Sequence, residues 1–129
     1  MMYEPRYFNT GMFVFKLQRR SRQITDGLSK TAMLGEVTFA ETWESSNIWT
    51  YAMHMADSLR STRNPLNTEP GQGVTWQSQN GAFGSYHTGG ANFVFADGHV
   101  EFIDDSVDRL IYNQMATIQQ ALDKRIHLD

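Results

Sequence analysis

His87, Asp97, His99 and Glu101 are the side chains through which this chain could do chemistry in its most ordered-looking stretch. Imidazole beside carboxylate can serve as an acid–base pair or as a metal-binding set. On a strand, two ligands share a face only at i and i+2, which is the spacing of His99 and Glu101. That pair is expected to project away from the neighbouring aromatic residues. Asp97-Gly98, however, is a turn-forming pair, and His87 lies beside Gly89-Gly90, where it can hydrogen-bond loop backbone. The structural reading of His87 and Asp97 therefore outweighs a catalytic or ligating one, and His99 and Glu101 read as exposed strand positions.

Three further groupings invite a chemical reading. Asp97, Asp104 and Asp105 offer the oxygen ligands calcium takes, but the ladder of alternating acidic positions found in calcium loops is missing. No cofactor is expected, with calcium the one ion to consider. Gly84-Ser-Tyr-His-Thr-Gly-Gly90 looks like a phosphate loop or a hydrolase fragment, yet it leads into a strand pattern and not into the helix that either motif requires. The glycines read as a close turn beneath His87. Trp43, Trp49, Trp76 and Tyr86, with Tyr51, could stack on sugar faces as ligand-binding residues, although buried tethers for an irregular region explain the same rings. None of this makes an enzyme, and a non-enzymatic protein is expected.

The elements that must position these residues follow from composition and pattern. With 129 residues, 40% hydrophobic and 19% charged, the chain has the make-up of a single globular domain. Fourteen acidic against eleven basic residues give a net charge of −3, so no broad positive field draws nucleic acid. The basic run Lys16–Arg22 reads as solvated surface. The absence of cysteine excludes disulfides, thiolate metal sites and a cysteine nucleophile. No apolar run approaches the roughly 18 residues of a membrane span, and the first ten residues lack the layout of an export signal.

Alternation over Gly11–Leu17 predicts a strand, and Thr31–Phe39 predicts a second, with a tight turn at Asp26-Gly27 between them. From Glu41 to Gly81 periodicity fades: a short element is expected near Ile48–Leu59, then an irregular stretch tethered by Trp76. A two-residue type I′ turn at Asp97-Gly98 would oppose Ala96 with His99, Phe95 with Val100, Val94 with Glu101 and Phe93 with Phe102. Phe93, Phe95, Val100 and Phe102 would then share the core face. Asp104-Asp105-Ser106 supplies helix caps, and Val107, Leu110, Ile111, Met115, Ile118, Leu122 and Ile126 form the apolar stripe of a helix packed on the sheet. The fold class is α+β: an antiparallel sheet with a carboxy-terminal helix on it.

The order of these motifs resembles a family of prepilin-type bacterial proteins of unknown function, also labelled an extracellular solute-binding family. Its signature is a histidine, nine residues, then Asp-Gly, met here by His87, Gly89, Gly90, Asn92, Asp97 and Gly98. Ile24–Glu36 resembles its Thr-Asp-Gly…Gly-Glu element, Arg60–Asn67 its Asn-Pro-Leu-Asn loop, and Asp104–Ile118 the helix after its hairpin, so the likeness covers about residues 11–118. Full-length members begin with a basic tip, a cleavage site and a long hydrophobic helix, a layout that Met1–Thr10 does not show. The resemblance implies a pseudopilin-head-like fold, a structural or assembly role in the cell envelope or outside the cell, and partners that are other pilin-like subunits or copies of itself. The alternative is a binding module for a small solute or glycan.

Overall fold

The structure, a computed structural model, describes residues 10–14, 17–38, 60–69, 72 and 82–118. Among them lie three strands, β1 (Ala32–Gly35), β2 (Gly90–Phe95) and β3 (Val100–Asp104), one α-helix, α1 (Arg109–Met115), and a short 3₁₀ helix at Ser21–Gln23. The strands form an antiparallel sheet in the order β1-β2-β3, so β2 is paired on both sides. This is the expected α+β arrangement.

The centre strand carries the core. Ala91, Phe93 and Phe95 are buried on one face of β2 and cluster with Leu66, Tyr112 and Met115, while Ala32, Phe83, Ile103 and Val107 pack around them. Phe83 and Tyr112 both meet the Phe93 ring edge to face, with centroids 5.1 and 6.4 Å away, a geometry that aligns ring edges with the negative face of the neighbour. Tyr112 brings α1 onto the sheet. The helix starts where the Asp108 carboxylate accepts the amides of Leu110 and Ile111. Asp108 is therefore the cap, not Asp104-Asp105-Ser106. The Asp104 carboxylate instead accepts from the Ser106 amide at 2.8 Å and from its hydroxyl, closing the turn that ends β3.

The buried side of α1 also departs from expectation. Tyr112 and Met115 face the core and Ile118 is buried just beyond the helix, whereas Leu110 and Ile111 are exposed. Starting the helix at Arg109 sets its phase, and spacing of three from Tyr112 to Met115 and Ile118 selects the inner stripe. Leu122 and Ile126 lie outside the described residues.

The hairpin register differs from the predicted one by a single residue, with large consequences. Val94 opposes Val100, Phe93 opposes Glu101, Asn92 opposes Phe102 and Ala91 opposes Ile103. The Gly98 amide donates to the Phe95 carbonyl and the Phe95 amide to the His99 carbonyl, both at 2.9 Å. Gly98 has φ +91° while Asp97 keeps negative φ, which rules out a type I′ turn. The loop is instead three residues long, Ala96-Asp97-Gly98, a type I turn closed by a glycine bulge. Because side chains alternate along a strand, one residue of offset moves the β3 set to the other face. His99, Glu101 and Ile103 share the side of Phe95, Phe93 and Ala91. Val100 (62% exposed) and Phe102 (46%) lie on the outer face, beside Val94 and the exposed Leu34.

The remaining expectations are met in part. The strand predicted over Gly11–Leu17 is reduced, among the described residues, to one bridge between Val14 and Leu17, with Phe13 and Leu17 exposed and no described strand beside it. The second predicted strand is shorter, at Ala32–Gly35, with an irregularity at Met33 between the Ala32 and Leu34 pairings. The Asp26-Gly27 turn is present, Gly27 donating to the Ile24 carbonyl. The Arg19–Arg22 end of the basic run is largely exposed surface. The Ile48–Leu59 element and Trp76 fall outside the described residues. The Thr62–Arg63 part of the irregular stretch is held by Arg109, whose guanidinium donates to the carbonyls of Thr62 (3.1 Å) and Arg63 (2.6 Å).

Two substitutions test this packing. Gly98→Val places a β-branched residue at positive φ, which costs roughly 1–2 kcal/mol or more; a lowered melting temperature is expected, and an unchanged one contradicts the bulged turn. The Tyr112 hydroxyl is buried with no hydrogen-bond partner among the described residues, and burial pushes its phenol pKa up. Tyr112→Phe should therefore leave stability unchanged or raise it by about 1 kcal/mol, while Tyr112→Ala should cost about 3–5 kcal/mol in denaturant titration.

Candidate functional site

Where β2 begins, segments distant in sequence meet. The Glu36 amide donates to the Asn92 carbonyl at 3.1 Å, and the Glu36 carbonyl accepts from the Gly84 amide at 3.0 Å. Glu36 Oε2 in turn accepts the Asn92 backbone amide at 2.7 Å and its side-chain amide at 3.2 Å. One carboxylate oxygen is thereby spent on anchoring the chain just after β1 to the centre strand. The other oxygen, Oε1, stands 3.4 Å from His87 Nε2.

His87 is held from its backbone. Its amide donates to Ser85 Oγ at 3.0 Å, and that hydroxyl donates to the Gly90 carbonyl at 2.6 Å. Ser85 is fixed again through its own amide, which donates to Asn67 Oδ1 at 2.9 Å. Asn67 adopts φ +63°, a conformation asparagine tolerates better than most residues. Its side-chain amide reaches Asp105 Oδ2 at 3.4 Å, and the Asp105 amide donates to the Gly89 carbonyl at 2.9 Å. Gly90 permits the close approach of β2 to β3: a Cβ there would lie 2.1 Å from the Ile103 carbonyl oxygen and 2.8 Å from the Phe102 ring.

Glu36, Val37, Ser85, Tyr86 and His87 line an open cleft of about 470 Å³. The His87 ring faces Glu36 across it and, contrary to the sequence reading, forms its visible contact with a carboxylate and not with loop backbone. Tyr86 is 77% exposed at the same site. Trp43, Trp49 and Trp76, the other rings considered for ligand binding, lie outside the described residues. Sequence reasoning assigns no site role to Glu36, Ser85 or Asn67, although Glu36 ends the Gly-Glu element, Ser85 lies in the Gly84–Gly90 run weighed as a hydrolase fragment, and Asn67 ends the Asn-Pro-Leu-Asn loop.

Asp97 and Gly98 sit elsewhere. Six residues of β2 separate the His87 loop from the Asp97-Gly98 turn, a span of roughly 16–20 Å. His87 and Asp97 therefore cannot act on one substrate atom, and Asp97 cannot share an ion with Asp104 or Asp105 at the far end of β3. No three His, Asp or Glu side chains gather as a metal set among the described residues.

At the turn, Asp97 Oδ1 accepts the His99 amide at 3.1 Å and meets His99 Nδ1 at 2.5 Å, while His99 Nε2 stands 3.6 Å from Glu101. The imidazole also stacks on Phe95, with ring centroids 4.6 Å apart and planes within 10°. His99 and Glu101 thus lie on the aromatic side, reversing the expected orientation. Hydrogen bonds from the His99 amide and ring lower the Asp97 pKa, and the Asp97 contact raises that of His99.

The chain matches, over residues 3–110, the family described as a protein of unknown function (DUF1559), SBP_bac_10. It belongs to that family. No curated protein and no solved structure shows a significant match.

The Asp97–His99 pair carries a pH signature. The raised His99 pKa makes its contribution to stability present below pH 6.5 and lost as pH rises through the folded value; the lowered Asp97 pKa makes its contribution present above pH 3.8 and lost as pH falls. The pair should help most between these limits. A His99 imidazole titration followed by NMR should have its midpoint above 6.5, and Asp97→Asn should return it towards that value.

Proposed function

We propose that this chain is a non-enzymatic structural or assembly module of the bacterial cell envelope, whose neighbours are further subunits of its own or a related kind. The observation that carries this reading is the use made of the signature residues. Asn92 donates twice to Glu36 Oε2, the Gly89 and Gly90 carbonyls accept from Asp105 and Ser85, and the Gly98 amide closes the turn, while His87 and Asp97 are held apart by a whole strand. A motif spent in this way favours a scaffold over a reaction centre.

The outer sheet face supports the same reading. Leu34, Val100 and Phe102 present exposed apolar side chains around Val94, the kind of surface that packs against another protein. On its far side β3 has no strand partner among the described residues. No helix among the described residues is long and apolar enough to cross a membrane.

Because the chain has no cysteine, single cysteines report on contacts directly. In cells producing the full-length protein, Phe102→Cys should yield maleimide-cross-linked multimers in the envelope fraction, and Ser29→Cys, on an exposed loop, should not. Monomer alone from both variants, recovered from the cytosol, would overturn the proposal.

A further inference from the structure

We propose that the cleft between Glu36 and Tyr86 is a saccharide-binding site. This goes beyond a scaffolding role and rests on lining residues that the apolar patch does not use, although the two adjoin: the Glu36 carboxylate is held by the Asn92 side chain, and Asn92 opposes Phe102 on the outer face. Its volume of about 470 Å³ lies within the range of small-molecule sites.

The lining supplies what a pyranose requires. A sugar ring offers adjacent hydroxyls that both donate and accept, together with an apolar C–H face. Glu36 Oε1 is an acceptor, and His87 Nε2, 3.4 Å from it, donates or accepts according to its tautomer. Two such groups at this separation can engage a pair of neighbouring hydroxyls. Tyr86 supplies a broadly exposed aromatic ring with a polar tip, and Val37 adds apolar surface. An anionic ligand would meet the Glu36 carboxylate, and among the described lining residues no lysine or arginine offsets it, which disfavours phosphate or carboxylate.

The polar groups are held before any ligand arrives. Glu36 is pinned through Oε2 by both Asn92 donors, and the His87 backbone is fixed through Ser85, itself bonded to Asn67 and Gly90. Such preorganisation reduces the ordering cost of binding. The hydrogen bonds that build the scaffold thus also leave one carboxylate oxygen, one imidazole and one aromatic ring presented together.

The test is an NMR titration of the isotope-labelled full chain with glucose, galactose, mannose, N-acetylglucosamine and their β-linked disaccharides. At least one should give saturable shifts centred on Val37, Tyr86 and His87. Tyr86→Ala should weaken that binding tenfold or more, with the amide shifts of β2, β3 and α1 unchanged to show that the fold is intact. Glu36→Gln retains an acceptor for Asn92 and should weaken binding while preserving the fold. Absence of saturable shifts with every sugar, shifts centred elsewhere, or undiminished affinity in Tyr86→Ala would overturn the proposal. Tetramethylammonium is the control: saturation by it and by no sugar would overturn the saccharide assignment by showing a site for cations.

Discussion

The burial of β2 is the constraint from which the described structure hangs. A strand paired on both edges has its backbone groups satisfied by its neighbours, so its inward side chains can be wholly apolar, as Ala91, Phe93 and Phe95 are. Phe93 then fixes where Phe83 and Tyr112 must stand, and Tyr112 in turn fixes the phase of α1. The loop carrying Thr31 is drawn in by the same logic. Its carbonyl accepts the Ala96 amide, while its hydroxyl donates to the carbonyls of Gly27 and Thr117, joining the hairpin end to the segment beyond the helix.

Much of this was legible in the sequence because it is local. The two hairpin strands, a helix after them, a strand near residues 32–35 and the Asp26-Gly27 turn are each encoded within a few residues. What failed was also local but finer. Ala-Asp-Gly supports either a two-residue loop centred on Asp97-Gly98 or a three-residue loop ending in Gly98, and apolar residues on both faces of β3 fit either register. Val100 and Phe102 satisfied the expected core pattern, yet Glu101 and Ile103 occupy the inner side. A strand covered on one side and apolar on both cannot reveal its orientation by alternation alone. Likewise Leu110 and Ile111 fit a helical stripe as well as Tyr112 and Met115 do, and only contact with Phe93 decides between them.

The site was less legible, for a reason of distance. His87 and Asn92 were visible as members of a motif, but Glu36 lies 56 positions before Asn92, and nothing in periodicity links them. The link arises only once β1 pairs with β2. Ser85 and Asn67 share the limitation, since their roles lie in hydrogen bonds that a folded turn creates. The nine residues between His87 and Asp97, which read in sequence as possible proximity, become in three dimensions the length of a strand.

The bulged turn has a further bearing on how such chains diverge. Face selection in β3 depends on which residues the loop takes: were Ala96 to join β2 and leave Asp97-Gly98 as a two-residue loop, Ala96 would oppose His99, and Val100 and Phe102 would turn inward and Glu101 outward, with neither strand's composition altered. A relative whose corner residues favour the shorter loop would therefore display a different exterior from nearly the same strands. Substitutions at this corner are consequential edits to surface identity, which residue-by-residue similarity along the strands would fail to register.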